Sequence, residues 1–303
     1  MNWFIFSIIA LLCWSGSDLF SKIGCREKDK YAQSKMVMAV GLVMGVHAIY
    51  EMLSGTVVTF EVILTYLPVS LLYIVSMVMG YISLRYIELS ISSPICNASG
   101  ACVALVYICM GSLSLEGNGI FALIALISVC AGVIGLGFVE SHEDDELRAA
   151  RQLKGNFKYS KSLLAILLPV LYCILDAAGT FADSVVLETL NEDAANVAYE
   201  LTFFAAGILC FIYVVLIKKQ PLIAKQERPK YIGAIFETAG QFAYIYALAD
   251  TEHVMFAAPI ISSYCMASMV WSAIFLKERL SWKHYVSLGI TLVGVVILGI
   301  LDL

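Results

Sequence analysis

Along the chain, apolar runs of roughly 18 to 23 residues alternate with short polar breaks, and each run is long enough to cross a hydrocarbon core about 30 Å thick. Runs at residues 3–22, 34–53, 63–84, 91–113, 119–139, 162–183, 197–217, 231–249, 254–276 and 284–301 predict about ten transmembrane helices. A membrane β-barrel would instead show alternating segments of about 10 residues. The predicted fold class is therefore all-α, a polytopic membrane protein. No basic residue precedes the first run, and Trp14-Ser15-Gly16-Ser17-Asp18 follows it in place of a small-x-small cleavage site. It reads as a retained helix and not a signal peptide.

The polar breaks segregate by charge. Residues 21–35, 84–90, 140–161, 218–230 and 277–283 hold all 19 Lys and Arg, whereas 54–61, 114–119, 185–196 and 250–253 hold none. The basic set is expected to face the cytoplasm. An even number of spans then places both termini on the other side. One missed or invented helix would scatter Lys and Arg over both faces, so the segregation also tests the span count. The most polar break runs from acidic (Glu143, Asp144, Asp145, Glu146) to basic (Arg148, Arg151, Lys154, Lys158, Lys161). Read as a solvated linker, it divides the chain into units 1–140 and 162–303, joined by 141–161.

Two units of five helices suggest duplication. At an offset near 165, Lys35 falls on Glu200, Pro94-Ile95 on Pro259-Ile260 and Leu115 on Leu280, while Gly41 falls within a residue of Gly207. Asp18 pairs with Asp183 or, about two helical turns earlier, with Asp176. An odd number of helices per copy turns the copies upside down relative to each other. Inverted repeats are a signature of alternating-access carriers, whose sites lie near the midplane between the copies.

Composition narrows the function. The chain has 60% hydrophobic and 14% charged residues and a mean hydropathy of +0.86, against about 25% charged residues in soluble domains. This composition argues against a water-soluble enzyme. The net charge is −5, and nucleic acid has no support as a partner. The nine cysteines are scattered singly and read as small buried hydrophobes. The four histidines lie at span ends or in loops, and neither HExxH, GxSxG nor a Walker A sequence occurs. The chain therefore reads as neither an intramembrane enzyme nor an ATP-driven pump, and no cofactor or metal is called for.

The segment Phe275-Leu276-Lys277-Glu278-Arg279-Leu280-Ser281-Trp282, followed by Gly289, Leu292 and Gly294-Val295, resembles the closing motif of the EamA domain of the drug/metabolite transporter superfamily. Trp14-Ser15-Gly16-Ser17 resembles the small-residue motif of that domain's first helix, and Pro94 and Pro259 stand where its fourth helix has a Pro. The first copy departs from the pattern, with Leu113-Ser114-Leu115-Glu116 in place of Glu-Arg-Leu, and Glu200 stands where a basic residue is usual. The resemblance implies two EamA-like five-helix copies and a transporter of small solutes.

An ionised side chain at the centre of a span costs about 2.5 to 3.5 kcal/mol on insertion scales, so such residues mark candidate sites. Asp176 is the most deeply placed in its run; Glu200 lies about one turn inside the seventh helix and Glu237 further inside the eighth. Glu237, Gln241 and Tyr244 share one helix face, and Trp14, Asp18 and Lys22 are also one turn apart. Asn97 and Ser262 follow the paired prolines, each of which frees a carbonyl one turn earlier. Asp176, Glu237, Gln241, Tyr244, Glu200, Asp18, Trp14, Asn97 and Ser262 are the substrate- or ion-binding candidates. Helix-packing glue is the competing account of all of them, with a local Asp18–Lys22 pair as a further alternative for Asp18. His47 and Glu51, i and i+4, read as a solvated histidine or a pH-sensitive gate.

The expected function is secondary active transport, export or exchange, of a small polar, cationic or zwitterionic metabolite, coupled to an ion or proton, in the cell membrane. The partners are a small-molecule solute and the lipid bilayer, with a homodimer as a further candidate. A passive channel or membrane scaffold is the alternative, followed by an intramembrane enzyme.

Overall fold

The computed structural model describes residues 3–25, 29–86, 93, 95–112, 118–141, 163–275 and 281–301. Pro94, Glu88, Leu113-Ser114-Leu115-Glu116, residues 142–162 with all of the linker 141–161 except Ser141, and the Leu276–Leu280 part of the EamA-like motif lie outside them, as does the side chain of Arg85. Among the described residues every regular element is helical: α1 (Trp3–Gly24), α2 (Ala32–Ser54), α3 (Phe60–Tyr86), α4 (Ser99–Cys109), α5 (Gly119–Ser141), α6 (Leu163–Leu187), α7 (Glu192–Phe211), α8 (Ala224–Leu248), α9 (Val254–Ser262), α10 (Tyr264–Phe275) and α11 (Trp282–Leu301). Six stretches among them are long and apolar enough to cross a membrane, and Ile95–Cys109, Gly119–Gly135 and Trp282–Leu298 are shorter apolar helices. The protein is a multi-pass integral membrane protein, and its outer faces present residues such as Leu209, Phe138 and Leu292 to lipid.

Local chemistry sets the helix ends. Gly55, at φ 120°, closes α2 by turning its N–H back to the carbonyls of Glu51 and Met52, a left-handed conformation that costs glycine little. The Asn191 side chain caps α7 by accepting from the N–H groups of Asp193 (3.1 Å) and Ala194 (3.3 Å), and Glu192 and Asp193 complement the positive end of the helix dipole. At its other end α7 widens into a π-helical turn, Ile212–Ile217.

Two span expectations shift. The run 254–276 is divided into α9 and α10 at Ser263, whose N–H reaches both Pro259 and Ile260 carbonyls at 3.1 Å while its hydroxyl donates to Ile260 O at 2.5 Å. Pro259, lacking an N–H, loosens the ladder just ahead of this point. The run 231–249 begins a turn or more earlier, at Ala224, because Glu227 and Lys230 in its first turns are buried in the ion pairs described below.

Four helix pairs dominate the packing: α1 with α8, α2 with α7, α5 with α11 and α3 with α6; α2 also meets α8, α3 meets α7 and α4 meets α9. The α2–α7 crossing is made by backbone. A Cβ at Gly41 would stand 2.6 Å from Phe203 O and 2.9 Å from Gly207 Cα, so any larger residue would drive the helices apart. The α5–α11 pair is similarly close, with a Cβ at Gly294 placed 2.6 Å from Ala125 O.

The cysteine expectation needs two corrections. All nine are free thiols, but Cys102 and Cys109 are exposed rather than buried, because they lie on outward faces of α4. Cys102 is also not solitary, since its thiol lies close to that of Cys173 on α6.

Candidate solute cavity

Between α1, α3, α6 and α8 lies a cavity with about 760 Å³ of empty space, its open mouth included. Its wall is built from one-turn spacings. Trp14, Ser17, Asp18 and Ser21 line it from α1, Tyr73, Met77, Gly80 and Tyr81 from α3, Tyr172 and Asp176 from α6, and Glu237 and Gln241 from α8. Ser93 and Cys96, before α4, complete it with Tyr199 of α7 and Tyr264 of α10. Among the described residues, α5 and α11 contribute none to this wall and pack on each other instead.

Each of the three carboxylates is steadied by a serine from another element. Ser17 Oγ donates to Glu237 Oε2 at 2.7 Å, Ser99 Oγ to Asp176 Oδ2 at 2.7 Å, and Ser93 Oγ to Asp18 Oδ2 at a longer 3.5 Å. Glu237 is within electrostatic range of both Asp18 and Asp176. A bond from one serine hydroxyl leaves most of the acceptor capacity of a carboxylate unused.

Behind the wall a chain of hydroxyls runs inward. Tyr244 OH donates to Thr180 Oγ1 (2.8 Å) and shares a hydrogen bond with Tyr73 OH (2.6 Å). Tyr73 OH reaches Asp183 Oδ2 at 3.3 Å, and Tyr66 OH donates to Asp183 Oδ1 at 2.7 Å. Asp183 is fully buried, so of the two aspartates that the repeat could set against Asp18, Asp176 faces the cavity and Asp183 is held by tyrosines.

The fold thus brings Trp14, Asp18, Asp176, Glu237 and Gln241 to one space. Tyr244 stands just behind it, its ring 4.9 Å from that of Trp14. Asn97 turns aside, its amide donating to Ser93 O (2.8 Å) and Ser93 Oγ (3.3 Å). Ser262 lies at the α4–α9 crossing beside Gly100. Glu200 is outside the cavity wall altogether: it is fully buried and lies 2.8 Å from His47 Nδ1, while His47 Nε2 is 3.6 Å from Glu51. His47 is therefore a bonded and not a freely solvated histidine. The cavity tyrosines on α3, and Tyr264, escaped sequence reasoning, because aromatics inside spans look alike whether they face lipid or solute.

A second charged cluster closes the end of α1, α2 and α8 that carries the basic loops. Lys35 Nζ is 3.0 Å from Asp29 Oδ2 and 3.2 Å from Glu227 Oε1; Lys230 Nζ is 2.8 Å from Glu227 Oε2 and 3.7 Å from Asp29 Oδ2. Lys35 also donates to Pro221 O at 3.3 Å. Lys35, Glu227 and Lys230 are all buried. Partial burial raises the Asp29 carboxyl, but hydrogen bonds from Lys35 and the Tyr31 N–H, with the charges of Lys35 and Lys230, outweigh it and hold the group below its ordinary range. The Glu227–Lys230 spacing, i and i+3, was the one trace of this cluster in the sequence.

Residues 163–300 match the EamA-like transporter family. Over those residues the chain is similar to the EamA-like domain of the drug/metabolite transporter superfamily. EamA-like proteins are membrane transporters of small solutes rather than enzymes. A likeness of fold extends over both halves. A solved structure titled only as the crystal structure of a protein superposes with a TM-score of 0.67 over 99% of this chain and 97% of its own, at 11% identity. A likeness at that identity is one of fold alone. No curated protein matches the chain.

Proposed function

We propose that the chain is a secondary active transporter that moves a small polar solute through the cavity by alternating access. The observation that carries this reading is the wall itself, in which Asp18 from the first half and Asp176 and Glu237 from the EamA-like domain face one space. Sites of inverted-repeat carriers lie at such a junction. The packing supports two copies, residues 1–140 and 162–303 about a linker 141–161, each of five spans. If α1 to α5 are exchanged with α6, α7, α8, α9–α10 and α11, the α1–α8 contact becomes α6–α3, α2–α8 becomes α7–α3, and α2–α7 and α5–α11 map onto themselves. Every one of these contacts is present. Gly41 and Gly207, matched by the repeat, meet at the self-mapped crossing.

Exchange is the activity to measure. In proteoliposomes, labelled solute is expected to enter faster when unlabelled solute is trapped inside; ion conductance without such counterflow would make the protein a channel instead. Orientation has its own check. With the native cysteines replaced, single cysteines at Asn156, in the basic linker, and at Glu188, exposed beyond α6, should label from opposite sides of the membrane. Labelling from the same side would remove both the topology and the inversion.

A further inference from the structure

The cavity offers two kinds of binding group that its wall leaves incompletely satisfied. One kind is anionic: Asp18, Asp176 and Glu237, each of which accepts from a serine hydroxyl. Among the described residues in the wall there is no Lys, Arg or His to neutralise them. Lys22 is within electrostatic range of Asp18 but does not line the cavity. The other kind is neutral and donating. Gln241 Nε2 and Tyr81 OH belong to side chains more than nine-tenths buried, and these groups, with the Trp14 indole N–H, have no hydrogen-bond partner among the described residues. Leaving a buried donor unsatisfied costs about 1 to 3 kcal/mol, so three on one wall point to a ligand that accepts.

These two sets together define a solute. Resting on the reading of this cavity as the transport site, we propose that its substrate is a small organic amine with a positive ammonium and, a few bonds away, an uncharged hydrogen-bond acceptor such as an amide or ester carbonyl. The ammonium, with up to three donors, meets the carboxylates, and the tyrosine and Trp14 faces add cation–π attraction. The carbonyl meets Gln241 and Trp14, which line the wall from α8 and α1. A free carboxylate on the solute would accept equally well from the donors, but it would enter beside three carboxylates with no base in the described wall to offset them. Amino acids as zwitterions are therefore poor ligands, and their amides good ones.

Matched ligands separate the charges. Purified full-length protein would be titrated at neutral pH with four compounds on each of the alanine, leucine and phenylalanine skeletons: the amino acid, its amide, the N-acetyl amide and the plain amine without the carbonyl. On the skeleton that fits, the amide is expected to bind at least tenfold more tightly than the amino acid or the neutral N-acetyl amide, and several-fold more tightly than the plain amine. Gln241→Leu should bring the amide down to the affinity of the plain amine while leaving thermal stability intact, since its donor has no protein partner to lose. Equal or tighter binding of the zwitterion or the neutral compound overturns the proposal, and so does the absence of binding by every cationic compound. Counterflow with the tightest ligand tells this inference from the transport reading. An amide that binds but is never exchanged refutes transport and leaves the ligand class standing, whereas exchange of a zwitterion or neutral solute in its place keeps transport and refutes the ligand class.

Discussion

Asp176→Asn and Glu237→Gln are each expected to lower transport at least tenfold while leaving a folded protein. Both amides keep the shape of the carboxyl and an oxygen that accepts from Ser99 or Ser17, so the helix contacts made through those serines survive. What is lost is a negative charge in a cavity where a carboxylate has been retained against an insertion cost of about 2.5 to 3.5 kcal/mol. The two variants also tell apart what the carboxylates do. If one carries a proton, pH-gradient-driven uptake disappears while solute exchange persists, because an amide cannot titrate. If they ligand a cationic solute, binding itself weakens, and exchange falls with it. Folded variants that transport like the wild type at every pH would reduce both residues to helix-packing groups.

Lys230→Met is expected to cost the protein about 3 to 5 kcal/mol of stability, the usual consequence of stripping one member from a buried ion pair. Its partner Glu227 would remain buried with Lys35 as its nearest cation, and Asp29 would lose the weaker of its two contacts. The double variant Lys230→Met with Glu227→Met should recover much of the loss, because the uncompensated charge goes as well; full additivity of the two single costs would mean that the pair is not coupled. Thermal unfolding in detergent or nanodiscs reads both. The same cluster predicts a pH response. The Asp29 carboxyl is held below its ordinary value of 3.8, so its contribution is present at neutral pH and is lost as pH falls through the depressed value. Acid destabilisation should therefore weaken in Asp29→Asn, and an unchanged acid limb would exclude Asp29 from it.

Hydropathy located the spans because the bilayer imposes a length on any uninterrupted apolar helix. It misplaced the start of α8 for a physical reason. The rule treats Glu227 and Lys230 as water-seeking, whereas here they satisfy each other and Lys35, and the helix continues through them. The break at Ser263 was invisible for a different reason, since α9 and α10 are both apolar and a hydropathy window does not register a rotated backbone. The same logic divides the candidate residues. An ionisable group in a span must turn away from lipid, and Asp18, Asp176, Glu237 and Glu200 all do so. Inward, however, is not a destination. Glu200 found His47 across the α2–α7 interface, and nothing in spacing along one helix could show which facing helix would supply a partner. The hydroxyl chain through Tyr66, Tyr73 and Asp183 is likewise a product of the α3–α6 contact and of no local motif.

The placement of the four tryptophans has an optical consequence. Trp3 is buried and stacked at 5.1 Å on His253, Trp271 gives its indole N–H to Ser15 at 2.9 Å, and Trp282 is exposed on the outside of the helix bundle. Trp14 is the one in the cavity wall, lodged between Tyr244 and Tyr264 with its N–H unpartnered among the described residues. Indole emission shifts with the polarity and hydrogen bonding around the ring, so a solute entering this space changes the colour of Trp14 and of no other tryptophan directly. With Trp3, Trp271 and Trp282 replaced by phenylalanine, the protein would carry a native fluorophore at its solute site, and loading and emptying could be followed in time without any attached label.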